Sequence, residues 1–264
     1  MNHVLRDAHR SWGSVTLHAT VIVLAGAFAL PFIWMVRGAT ADRFAPLRHL
    51  WREQPIGTWL LNSIFLAATY TVLVVLICSL AGFAIAKYDF RGKRLMMVVM
   101  LLTVAVPPQV LLPAGFELVA WLGWVNTYPA AIVPGLANVF GVLLFSSAMR
   151  SVSDDLLAAA RLDGCGEFRL WWHVALPLAR PMVGAFALMS FLGAWNSFLW
   201  PQVVLIDAAR HTLPIGLATL AGLPQDGPGL LYAAVLVGIL PVAVLFFALQ
   251  RDFVAGLTSG ATNE

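Results

Sequence analysis

Residues Leu60 to Arg94 read "LLNSIFLAATYTVLVVLICSLAGFAIAKYDFRGKR". From Leu60 to Ile85 the run is apolar and carries no charge, and Lys87, Arg91, Lys93 and Arg94 close it. A helix crosses about 30 Å of hydrocarbon with roughly 20 apolar residues. In lipid only helices and closed barrels satisfy every backbone group, and a run this long and continuously apolar suits a helix rather than a barrel strand. The stretch is therefore expected to span a membrane and to end on a basic cytoplasmic flank.

The rest of the chain follows the same pattern. Of its 264 residues 60% are hydrophobic and 11% charged, far from the balance of a soluble domain. Six spans are expected, at about Val15 to Val36, Leu60 to Ile85, Leu95 to Leu112, Tyr128 to Met149, Pro181 to Leu199 and Leu230 to Leu249. Arg6 and Arg10 precede the first run as in a signal peptide. That run is too long for a typical signal core and no small-residue cleavage site follows, so it reads as a retained helix. The expectation is an all-α membrane protein with a single transmembrane domain, 1–264.

An even number of spans puts both termini on one side. Arg6, Arg10, Lys87, Arg91, Lys93, Arg94, Arg150, Arg161, Arg169, Arg180 and Arg251 share that side, against Arg37, Arg43, Arg48, Arg52 and Arg210 on the other. Basic residues favour the cytoplasm, so the termini are expected inside. Asp42 and Glu53 partly neutralise the Arg43 to Arg52 stretch, and Arg37 can snorkel from a helix end. The net charge of +3 thus reflects topology rather than nucleic-acid binding. Cys78 falls within a span and Cys165 in a polar segment, so neither a disulfide framework nor a metal site follows. Prolines in "AVPPQVLLP" (Ala105 to Pro113) and "AIVPGLAN" (Ala131 to Asn138) interrupt spans, as breaks lining a cavity do.

The coupling segment, 151–180, is polar and longer than a connection needs. Ser151 and Asp154 have capping-box spacing, and Asp154 and Asp155 suit the first turn of a helix. Leu156 to Leu162 has high helix propensity and Gly164 is placed to end it. Phe168, Trp171, Trp172 and Ala175 then recur at helical spacing beside Arg169 and His173, suiting a membrane interface. Pro177 is expected to stop this second piece, and Pro181 to open the next span. Physically, the same features also describe a long loop lying on the membrane.

The residues "LAAARLDGCGEFRLWWHVALPLARP" resemble the cytoplasmic signature of permease subunits in ATP-binding-cassette importers: Glu-Ala-Ala, then a Gly, then a hydrophobic-x-Leu-Pro. Ala159, Ala160, Asp163, Gly164, Leu176 and Pro177 match it. Ala158 stands where the family has Glu, which leaves Asp154, Asp155 and Arg161 as the charges available to a contact. "LGWVNTYPAAIVPG" (Leu122 to Gly135), "FLGAWNSFLWP" (Phe191 to Pro201), "TLPIGLA" (Thr212 to Ala218), the tail "QRDFVAGLTSGA" (Gln250 to Ala261) and the opening stretch are similar, in order, to carbohydrate-importer permeases of the maltose and glycerol-phosphate type. The resemblance is closest to the second, six-span permease subunit.

The resemblance implies a second permease subunit, two ATPase subunits and an external solute-binding protein as partners. ATP and Mg would sit on the ATPases and no cofactor on this chain. No Gly-rich phosphate loop ending in Gly-Lys-Ser/Thr occurs here, consistent with a separate motor. A coupling helix between the fourth and fifth spans would carry the motor's motion to the membrane. "PQDGPG" lies in an external turn-rich stretch, and the resemblance implies that Leu213, Pro214, Gln225 and Asp226 meet the binding protein. Trp195, Asn196 and Trp200 are candidates for the substrate pathway, because rings stack on sugar faces. An interhelical hydrogen bond and an interfacial aromatic belt are their structural alternatives. An intramembrane enzyme built on Asp163 or His173 lacks a partner at diagnostic spacing. A membrane anchor or scaffold without transport is the remaining alternative.

Overall fold

The computed structural model describes residues 2–222 and 227–259, all helices, turns and connections, with no strand among them. The helices are α1 (Asn2–Ala39), α2 (Ala41–Glu53), α3 (Ile56–Lys87), α4 (Lys93–Val104), α5 (Leu112–Trp121), α6 (Tyr128–Ile132), α7 (Val139–Arg150), α8 (Asp154–Leu162), α9 (Glu167–Arg169), α10 (Leu176–Leu178), α11 (Arg180–Trp195), α12 (Leu199–Val204), α13 (Leu213–Ala221) and α14 (Gly227–Ser259). They form two compact units, Met1–Pro55 with Thr219–Val237, and Ile56–Ala218 with Gly238–Glu264.

In the first unit the last turn of α1 lies against the start of α14. A Cβ on Gly38 would sit 2.5 Å from the Tyr232 ring, so the small residue permits the approach. The lipid-type face of α1 is bare: Phe28 and Trp34 are largely exposed.

In the second unit α3 is the central rod, about 48 Å long at 1.5 Å per residue. It packs on α7 and α11. The α3 and α7 backbones meet at Gly82, and Phe145 of α7 stacks edge-on against Phe186 of α11 at 5.4 Å. Gly141 supplies the space, since a Cβ there would lie 2.3 Å from Phe186.

Three of the expected spans are broken, and proline accounts for the first two breaks. Leu95 to Leu112, expected as one span, bends by 95° between α4 and Pro108–Trp121. Pro107 there is extended at φ −61°, ψ 130°, and Pro108 opens a 3₁₀ turn. Tyr128–Leu136 meets α7 at 49°, with Pro134 in the intervening 3₁₀ turn. The fifth expected span, Pro181 to Leu199, instead ends as α11 at Trp195 and resumes as α12. Proline removes an N–H and its ring collides with an upstream carbonyl, so a straight rod is not available at Pro107, Pro108 and Pro134. Among the described residues three helices are long and apolar enough to cross a membrane, and up to six crossings result if each bent pair counts as one.

Two expectations about the polar segment need correcting. The capping box does not form, because α7 runs through to Arg150 and the Ser151 hydroxyl donates back to the Ala148 carbonyl at 2.7 Å. Ser153 occupies the N-cap of α8, without a side-chain cap bond. Pro177 also does not end the second piece, which continues through Pro177 to Leu178. A π-type turn, Leu170–Ala175, lies directly ahead of it, and this wider turn tolerates the carbonyl that proline leaves free. The chain bends by 85° at Ala179 instead.

Candidate functional site

The polar segment is clamped to the end of α3. Lys87, whose side chain is only 6% exposed, donates to the Val152 carbonyl and to Asp154 Oδ1 at 2.7 Å, fixing the first turn of α8. Arg161 grips Glu167 through Nε at 2.9 Å and Nη2 at 3.1 Å, and both contact the Tyr88 hydroxyl. Arg161, and after it Tyr88, holds the Glu167 carboxyl below its ordinary range, while Glu167 first and then Tyr88 raises the Arg161 guanidinium. Burial and the Glu167 contact raise the Tyr88 phenol.

Beneath these polar ties, Leu157, Leu170, Trp171 and Ala175 join Phe83, Ile85, Phe145 and Met149 in one apolar cluster. Helical spacing then turns the opposite face of α8 outward: Asp155, Leu156, Ala158, Ala159, Leu162 and Asp163 are exposed, Leu162 at 90%. The helix ends in a closed cap at Gly164, φ +82°. The Gly164 N–H donates to the Arg161 carbonyl and the Cys165 N–H to the Ala160 carbonyl, both at 3.0 Å.

A cavity of about 540 Å³ lies within the same unit, bounded by α3, α5, α6, α11 and the two proline-containing 3₁₀ turns. Trp200 lines it, with Nε1 donating to the Ala130 carbonyl at 2.9 Å. Trp195 does not: it is buried and stacks on Phe191 at 5.8 Å. Asn196 is exposed, and its Nδ2 donates to the Leu192 carbonyl at 2.8 Å. The end of α11 thus separates three residues that adjacency in sequence groups together.

The connection from α12 to α13 is held by two asparagines. Asn62 Nδ2 donates to the Ala209 and His211 carbonyls at 3.0 and 2.9 Å, and its Oδ1 accepts from the Tyr128 hydroxyl at 2.9 Å. Asn126, left-handed at φ +61°, accepts through Oδ1 from the Ile206 and Asp207 N–H groups, while Arg210 donates to its carbonyl. Leu213 is buried, its N–H donating to Ser63 Oγ at 2.7 Å, and Pro214 is half-buried. Gln225 and Asp226 lie outside the described residues. Sequence reasoning missed Lys87, Tyr88, Glu167, Asn62 and Asn126. Only Asn62, polar at the start of an apolar run, carried a local signal.

A family model described as "binding-protein-dependent transport system inner membrane component" matches residues 78–257. The chain belongs to that family. It is a multi-pass inner-membrane permease component of an ATP-binding-cassette import system, and not an enzyme. The arabinooligosaccharides transport system permease protein AraQ of Halalkalibacterium halodurans is 38% identical over 78% of the permease and 74% of the relative. The diacetylchitobiose uptake system permease protein NgcG of Streptomyces coelicolor is 31% identical over 90% and 78%. The sn-glycerol-3-phosphate transport system permease protein UgpE of Yersinia pestis is 30% identical over 80% and 78%. In fold the permease resembles a chain of a bacterial ABC transporter involved in the import of the acidic polysaccharide alginate, with a TM-score of 0.75, 21% identity, and coverage of 90% and 96%.

Proposed function

We propose that the chain is the six-span permease subunit of an importer for a sugar or sugar-like solute, with α8 as the coupling helix through which separate ATPase subunits drive alternating access. The observation that carries this is the two-sided construction of α8. Its inner face is bonded and packed onto α3, while Asp155, Leu156, Ala158, Ala159, Leu162 and Asp163 stand outward with apolar surface left uncovered. An exposed apolar face rimmed by charge suits a protein partner. Asp154 and Arg161 serve the clamp to the end of α3 rather than the partner, Gly164 ends the coupling helix, and Pro177 lies within the piece that follows, which bends at Ala179. Ala158, in place of the family's Glu, makes the contact more apolar.

The partners are a second permease subunit, two ATPase subunits that hold ATP and Mg, and an external solute-binding protein. Each bent pair counts as one span, both termini face the cytoplasm, and 1–264 works as one transmembrane domain. Pro214, Gln225 and Asp226 contact the binding protein, and Asn62 and Asn126 hold the connection that leads to Pro214. Trp200 lines the solute path, while Trp195 packs on Phe191 and Asn196 closes the end of α11.

Deleting the chain from its host and complementing it back tests the transport role. ATP-dependent uptake of a radiolabelled sugar is expected to vanish and return, whereas a scaffold would leave some uptake without it. Arg161→Glu or Glu167→Arg alone is expected to lower uptake about threefold, the scale of an exposed ion pair, with recovery in the double variant. Because the Glu167 carboxyl is held low, the pair contributes above the ordinary carboxylate range, near pH 4.3, and is lost only as pH falls below it. The pair therefore adds no pH dependence between pH 8 and 5, and uptake by wild type and by the double variant is expected to follow the same profile there.

A further inference from the structure

Among the described residues, the cavity's lining contains no Asp, Glu, Lys, Arg or His. Its volume, about 540 Å³, is that of a small-molecule site. Hydroxyls supply much of its polarity. Thr212 is 4% exposed and its Oγ1 has no hydrogen-bond partner. Ser190 and Ser197 make no side-chain hydrogen bond among the described residues, and Ser63 Oγ, accepting from Leu213, keeps its own proton to donate. Two aromatic rings complete the lining. The Tyr70 hydroxyl donates to the Gly135 carbonyl at 3.1 Å and Trp200 Nε1 to the Ala130 carbonyl at 2.9 Å. Each ring is therefore fixed by its polar end, with its apolar body at the cavity.

We propose that this chain itself holds part of the solute in this cavity, and that the solute is an uncharged polyhydroxy compound, a neutral saccharide unit, rather than a phosphate ester or a uronate. The inference rests on the permease reading and narrows it. An anion leaves water at a high cost unless a positive group pairs with it, and this lining offers none. A saccharide suits the site in both of its aspects. Each of its hydroxyls donates and accepts, as Ser and Thr do, and its C–H faces lie against fixed rings. The named relatives divide along the same line, with arabinooligosaccharide and diacetylchitobiose systems on one side and a glycerol phosphate system on the other.

Whole cells with and without the chain should be given radiolabelled arabinotriose, diacetylchitobiose, glycerol 3-phosphate and an alginate-derived trisaccharide. Chain-dependent uptake is expected for a neutral probe alone. Chain-dependent uptake of the phosphate or the uronate overturns the inference and leaves the permease function standing. Chain-dependent uptake of none of the four counts against the function itself, and the inference falls with it. For the neutral probe, Ser190→Ala and Ser197→Ala are each expected to lower the saturated uptake rate about fivefold, the worth of one hydrogen bond, at unchanged membrane abundance. Unchanged rates in both variants overturn direct contact with this chain.

Discussion

Replacing Gly164 with valine is expected to cut uptake at least about tenfold while the protein stays in the membrane at its normal level. Gly164 sits at φ +82°, and nothing lies within 4 Å of where a Cβ would go. No clash contributes, therefore. The cost is backbone strain, roughly 1–2 kcal/mol for an ordinary L-residue and more for a β-branched one. That strain opens the two 3.0 Å cap bonds on the Arg161 and Ala160 carbonyls and re-aims the chain towards Glu167. Gly164→Asn, which tolerates the left-handed region, is expected to keep most of the uptake. Ala159→Lys should match the valine variant by another route. Ala159 is exposed and the chain does not need it for packing, so the lysine leaves this protein intact. Covered by a partner, the added side chain and its desolvated ammonium, only partly offset by Asp155 and Asp163 one turn away, cost more than the roughly 1.4 kcal/mol that separates tenfold levels of binding. Immunoblots of membranes beside uptake rates check both variants.

Gly82→Leu is expected to act on folding instead, removing most of the protein from the membrane fraction. A Cβ at Gly82 would lie 2.6 Å from Phe145 Cβ, 2.7 Å from the Ser146 nitrogen and 2.8 Å from the Phe145 carbonyl carbon. These are backbone neighbours or atoms fixed to the backbone, so no rotamer change makes room and α3 must part from α7. Overpacking of this kind costs typically 1–3 kcal/mol, and more where whole helices must shift. Trimming Phe145 to Ala should not rescue it, because the contacts are with atoms that alanine retains. Gly26→Ala in α1, where nothing lies within 4 Å, is the matched control and is expected to leave abundance unchanged. Membrane abundance and the thermal melting of the detergent-solubilised protein read this out.

The difference between these two glycines shows what was legible in the chain. Gly164 announces itself, because a glycine after an alanine-rich helix has a local meaning. Gly82 lies in an apolar run where local sequence gives it no role, and only the crossing with α7 reveals one. The same division holds for the polar residues. The helix Asp154–Leu162 and its stop follow from propensity, but Lys87 meets Asp154 across 67 positions and Tyr88 meets Glu167 across 79. Ser151 misled because the capping pattern is satisfied equally well by residues that close the preceding helix. Prolines marked the breaks in the third and fourth spans, with bends of 95° and 49°, but no proline marks the break at 196–198 in the fifth. Trp195, Asn196 and Trp200 looked like one cluster because sequence does not show that a helix ends at Trp195.

The most direct measurement is isolation of the tagged chain from its native membrane, with ATPase activity assayed on what accompanies it. Wild type is expected to bring an ATPase, a second permease and, when solute is present, a binding protein that stimulates hydrolysis, while Ala159→Lys retains the second permease and loses the ATPase. Recovery of the chain without an ATPase, or an ATPase bound equally well by the lysine variant, would contradict the role assigned to α8.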